Sequence, residues 1–157
     1  MRLRARLGLI DCGLTIAVVA VVASIVWVYV SSERFFYYWD HASYQEIARE
    51  TAQAFRQSPV TGWLALRRSF QNDYNAAFAL PLIPWILSFG SSRMSFELGS
   101  ALVYLVPLPL AMGAVATRLI PGRRRPAFWV AAWLALLTPM TWVPTLRGFP
   151  DGNDSAK

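Results

Sequence analysis

The chain has 157 residues and a formal net charge of +6, yet only 15% of its residues are charged and 55% are hydrophobic, with a mean hydropathy of +0.36. Soluble domains carry about 25% charged residues, so this composition excludes an ordinary water-soluble enzyme. The arginines gather in short clusters between apolar runs, which argues against a nucleic-acid-binding face and for charges that orient a membrane protein. The one cysteine, Cys12, rules out an internal disulfide and a Cys-based metal site.

The first element is a predicted transmembrane helix over 7–30. It follows the basic start Arg2, Arg4 and Arg6, and its apolar run exceeds the roughly 7–15 residues of a signal-peptide core. A helix of that length crosses the hydrocarbon of a bilayer. Asp11 lies one turn inside, where it either reaches the interface or pairs with a partner, and snorkelling is the preferred reading.

A long segment from Ser31 to Arg93 follows, opening on the aromatics "FFYYW" at 35–39, an interfacial belt. Asp40 comes next, with two readings. It caps a helix whose apolar stripe is Tyr44, Ile47, Ala48, Thr51, Ala52 and Phe55, or it is a reacting carboxylate held at that helix start. His41 is the only histidine, so an imidazole-led metal site is not expected. Pro59 ends the helix, and "GWLALRRSF" opens a second amphipathic piece. In "NDYN", Asp73 and Tyr74 are candidates for holding a polar head group, while Asn72 or Asp73 equally suits a helix cap.

The run at 76–87, "AAFALPLIPWIL", is short for a span, and Pro81 and Pro84 weaken it further. Two more spans are predicted, 95–120 and 127–144, on either side of the turn "PGRRRP". If 76–87 crossed, Arg123, Arg124 and Arg125 would lie on the side opposite Arg2, Arg4 and Arg6, against the positive-inside rule. The expected fold is therefore an all-α membrane protein with about three transmembrane helices and amphipathic juxtamembrane helices in a long outer loop. Its N-terminus is cytoplasmic, and Asp40 shares the outer face with the tail "TLRGFPDGND". In that tail, Asp151 and Asp154 offer oxygens to a hard divalent cation such as magnesium or manganese, and Arg147 suits a phosphate.

An aromatic-flanked Asp at the head of a juxtamembrane helix after the first span resembles the GT-C class of integral membrane glycosyltransferases, most closely its family-39-like members. "YYWDHASYQEIARE" is similar to their first-loop motif, and "DYNAAFALPLIPWILSFG" to the Pro-rich segment after it. "SFELGSALVYLVPLPLAMGAVATRLIPGRRRPAFWVAAWLALLTPM" resembles their next two spans, and "LRGFPD" falls where they carry a second-loop acid. The resemblance implies transfer of a sugar from a polyprenyl-phosphate donor to an acceptor on the outer face of a bacterial inner or cell membrane. Asp40 would be the general base, Asp151 with Asp154 would organise the donor phosphate, and Asp73, Tyr74 and Arg147 would bind substrate. The Lys-Pro-Pro of many relatives is absent, which makes Arg67 or Arg68 the replacement phosphate contact. Members of the class have many more spans, so residues 1–157 are read as a single transmembrane domain that forms the N-terminal part of a larger module. A small non-enzymatic membrane subunit or scaffold is the competing expectation. Membrane lipid and the sugar donor are the expected partners, and nucleic acid is not.

Overall fold

A computed structural model describes residues 2–32, 40–72, 75–138 and 142, with backbone placement alone for 2–7, 40, 41 and 121. Every element among the described residues is helical. Two helices, Gly8–Ser32 and Arg93–Leu119, are 25 and 27 residues long and apolar enough to cross a membrane, which points to a membrane protein.

The first of these belongs to α1 (Arg2–Ser32). Val18, Val22 and Val26, four residues apart on one face, are fully buried. Leu9, Ile16, Trp27 and Val28 on the other faces stay exposed. A helix apolar all round with one packed stripe has the surface of a span beside its neighbours.

The chain then forms a platform of short helices. In α2 (Asp40–Gln57), Ala48, Thr51 and Ala52 are buried, whereas Glu46, Arg49, Glu50, Gln53 and Arg56 are exposed, as the stripe predicts. Gln45 departs from the expected polar face. Its side-chain amide donates to the Ser91 carbonyl at 3.0 Å and ties α2 to the approach of the second long helix. Pro59 begins α3 (Pro59–Ser69) as well as stopping α2: Ser58 is the cap, accepting from the Thr61 N–H at 3.0 Å. The hairpin is tight because a Cβ on Gly62 would lie 2.3 Å from the Phe55 ring.

The apolar stretch after "NDYN" is a 3-10 helix, Ala76–Leu82, followed by α4 (Ile83–Phe89). Pro81 lies in the 3-10 segment and Pro84 in the first turn of α4, where a missing N–H is tolerated. Its cap is Asn75, whose side chain accepts from the Ala77 N–H at 3.1 Å, rather than the expected Asn72 or Asp73. Ala79, Leu82, Ile83 and Ile86 pack on Ala48, Ala52 and Phe96, so this stretch forms the core of the platform. Gly90, at φ 84, turns the chain out of α4.

The second long helix comprises α5 (Arg93–Ser100), a π-helical turn (Ala101–Leu105) and α6 (Pro107–Leu119). Pro107 has no N–H to donate back, and the helix adjusts by widening, with the Val106 N–H bonded to the Ala101 carbonyl at 2.9 Å. After the arginine turn, α7 (Arg124–Leu137) packs along α6.

The third predicted span, 127–144, is described in part: α7 covers it to Leu137, and beyond that only Thr138 and residue 142 are among the described residues. The helix α7 has 14 residues, about 21 Å at 1.5 Å per residue, against about 30 Å of hydrocarbon. It stops at Thr138, held at ψ 121. Residue 139 is proline, and the residue before a proline is pushed out of the helical region.

Val18, Val22 and Val26 of α1 pack on Ala101, Leu105, Val106 and Leu136. Asp11, near the start of α1, contacts Arg125 and Trp129 near the start of α7. Thus α1 and α7 run one way and the long helix between them runs back. The arginine turn sits at the N-terminal end of α1, and the platform leads into the long helix at the opposite end. A single crossing by the 3-10 segment and α4 would have reversed that placement.

Candidate functional site

Asp40 is the first residue of α2, on the platform at the end of the bundle away from the arginine turn. The other predicted site residues, Asp73, Tyr74, Arg147, Asp151 and Asp154, lie outside the described residues, as do the aromatics at 35–39. On both sides of Asp73 and Tyr74 the chain is described. Ser69 Oγ donates to the Leu66 carbonyl at 2.7 Å and accepts from the Ala76 N–H at 2.8 Å. One hydroxyl therefore closes the loop that carries Asp73 and Tyr74.

That loop borders a groove of about 720 Å³ between α2 and α3, with Glu50, Thr51, Arg68, Ser69, Gln71 and Asn72 among its walls. Of the two arginines considered for a phosphate contact, Arg68 lines the groove and Arg67 does not. Thr51 points its hydroxyl back to the Ile47 carbonyl at 2.7 Å, leaving the oxygen as an acceptor. Outside the groove, Glu46 bonds Arg49 and holds its guanidinium above the ordinary arginine pKa. Both are surface-exposed, and such a pair contributes little to stability. Chemically, the groove offers the Arg68 guanidinium, the Glu50 carboxylate and several amide and hydroxyl groups, the equipment for orienting a sugar hydroxyl, with Arg68 alone suited to a phosphate.

No group of three or more His, Cys, Asp or Glu capable of holding a metal occurs among the described residues. The pair Asp151 and Asp154 falls outside them.

Two features differ from the preferred sequence reading. Asp11 takes the pairing alternative and not simple snorkelling: its Oδ1 accepts from Arg125 Nε at 2.8 Å and from Trp129 Nε1 at 2.9 Å. The expected topology contained the signal, because it put an acid one turn inside the first span on the same side as three arginines. Glu97 is fully buried where the platform meets the bundle, flanked by Phe96 of one core and Leu98 of the other. In the sequence it was one acid near the start of an apolar run, with nothing to mark its burial.

No family model, curated protein or solved structure matches the chain.

Proposed function

We propose that the chain is a membrane-embedded glycosyltransferase part, the N-terminal portion of a module that moves a sugar from a polyprenyl-phosphate donor to an acceptor on the outer face. The observation that supports this reading most is the shared end of the bundle. Helix α2 starts at Asp40 on the platform. At the far end of α7, Leu136 is buried against the α1 valines, with Trp142 packed on the same cluster. The C-terminal end of α7 and Trp142 therefore lie toward the platform, away from the arginine turn, and Asp151 follows them in sequence.

In this reading three spans cross, with the arginine turn and N-terminus in the cytoplasm. Beyond α7, the Trp142 indole Nε1 donates to the Leu136 carbonyl at 2.6 Å and holds that residue against the end of the helix. On α3, Val60, Trp63 and Leu64 are exposed beside Arg67 and Arg68, the chemistry of a helix lying in an interface. Asp40 takes the acceptor hydroxyl's proton. Asp151 and Asp154, directly or through a magnesium or manganese ion, organise the donor phosphate together with Arg147. Asp73 and Tyr74 contact the sugar beside the α2–α3 groove, and Arg68 supplies the phosphate contact. Polyprenyl phosphate is a competent leaving group, so a base, positioning and charge neutralisation suffice.

Binding of the lipid carrier tests this on the chain itself. A photoactivatable polyprenyl phosphate should crosslink within 40–75, and Arg68→Gln should weaken that binding about ten-fold, the value of one charge-assisted hydrogen bond. Crosslinks scattered along α1 and α6 and indifferent to Arg68→Gln would contradict the proposal.

A further inference from the structure

At the opposite end of the bundle lies a second groove, of about 530 Å³, that sugar transfer does not use. We propose that it binds the phosphodiester head group of an anionic membrane lipid. Asp11 and Thr15 of α1, Thr117 of α6, and Arg124, Arg125 and Trp129 of α7 line it.

Charge comes first. The groove holds two guanidiniums against one carboxylate, and Arg118 and Arg123, next in sequence to Thr117 and Arg124 of its lining, are exposed. The carboxylate is already engaged: a single oxygen of Asp11 accepts from both Arg125 and Trp129, at 2.8 and 2.9 Å. It therefore orients the wall of the groove and does not present an unmatched negative charge to a ligand. Arg124 forms no ion pair among the described residues, so its fork of donors faces the groove uncommitted. A net positive groove of this kind selects a phosphodiester with no cation of its own over a zwitterionic head group.

Position identifies the source of that phosphate. Asp11 stands in the first turn of Gly8–Ser32 and Thr117 in the last turn of Arg93–Leu119, the level at which each long apolar helix ends. Leu110 and Phe128 carry the groove toward the middle of those helices as an apolar wall. A free phosphate has no use for that wall, whereas a lipid places its head on the arginines and a chain along the wall.

The inference depends on the membrane placement proposed above but not on sugar transfer. The full chain, reconstituted in phosphatidylcholine vesicles, would be probed by electron paramagnetic resonance with spin-labelled phosphatidylglycerol and spin-labelled phosphatidylcholine. Phosphatidylglycerol should be preferentially immobilised. Arg124→Gln should reduce that preference by up to about five-fold, the worth of one arginine at an anionic surface. Arg67→Gln, on α3 at the other end, should leave it unchanged. Inorganic phosphate at matched ionic strength should not displace the label. Equal immobilisation of the two lipids, a preference untouched by Arg124→Gln, or displacement by inorganic phosphate would overturn the proposal. A chain that fails to float with the vesicles would overturn the membrane placement and this site together, whereas a chain that floats without lipid preference overturns this site alone.

Discussion

Asp40→Asn is expected to lower sugar transfer by about 10²–10⁴-fold, the usual contribution of a general base, while leaving the fold intact. Asparagine separates the two roles open to this residue. It caps a helix as well as aspartate does, since either side chain accepts from the backbone N–H groups of the first turn. It cannot take a proton from a hydroxyl at neutral pH. If Asp40 only starts α2, the substitution is silent in both stability and transfer. If it is the base, stability stays and rate falls. Asp40→Ala removes both capacities and adds about 1 kcal/mol of destabilisation. The assay measures transfer from a polyprenyl-phosphate sugar in membranes containing the complete module of which we propose this chain is the first part. Undiminished transfer by the Asn variant would remove Asp40 from the mechanism.

Gly113→Leu is expected to be the most damaging single change to the fold. A Cβ at position 113 would lie 2.7 Å from the Phe128 backbone carbonyl oxygen and 3.0 Å from the Phe128 ring. The obstacle is backbone, which cannot rotate away as a side chain can. At Gly62 and Gly99 the atoms in the way belong to the Phe55 and Trp85 side chains and not to backbone. Between apolar helices in lipid, close approach of backbones is a principal source of association, so pushing α6 off α7 removes much of what holds the hairpin together. Overpacking of this kind costs about 1–3 kcal/mol, and more where nothing can give way. Thermal unfolding in detergent should show a clear loss for Gly113→Leu. Gly13→Ala, in a position where an added Cβ meets nothing within 4 Å, should be neutral or gain up to about 1 kcal/mol. Equal stability of the two variants would mean that α6 and α7 do not pack as described.

The parts of this fold that were legible in the sequence are those set by a repeating pattern. The stripe Ala48–Thr51–Ala52 gave α2 and its buried face, and unbroken apolar length gave Gly8–Ser32 and Arg93–Leu119. The arginine turn gave the relative direction of the long helices, because charge repelled from hydrocarbon constrains which ends lie together. What was not legible depended on single long-range partners. That Gln45 would bond Ser91, or that Ser69 would hold Ala76, follows from the packing of helices and not from any local spacing. The break at Thr138 was not read from the sequence, because hydropathy continues past Leu137 while the proline at 139 pushes the residue before it out of the helical region. Of the candidate site, only the position of Asp40 at a helix start was readable, from the apolar stripe of the helix it begins. The part of Arg68 became distinguishable from that of Arg67 only once α3 was laid against α2.

The central claim is that the platform starting at Asp40 and the arginine turn lie on opposite sides of one membrane. Single cysteines at Gln57, exposed at the end of α2, and Gly122, exposed in the arginine turn, test it most directly in a Cys12→Ser background. With an impermeant maleimide applied to intact cells, the cysteine at 57 should label and the cysteine at 122 should label only after permeabilisation. Labelling of both positions from outside, or of 122 alone, would contradict the account.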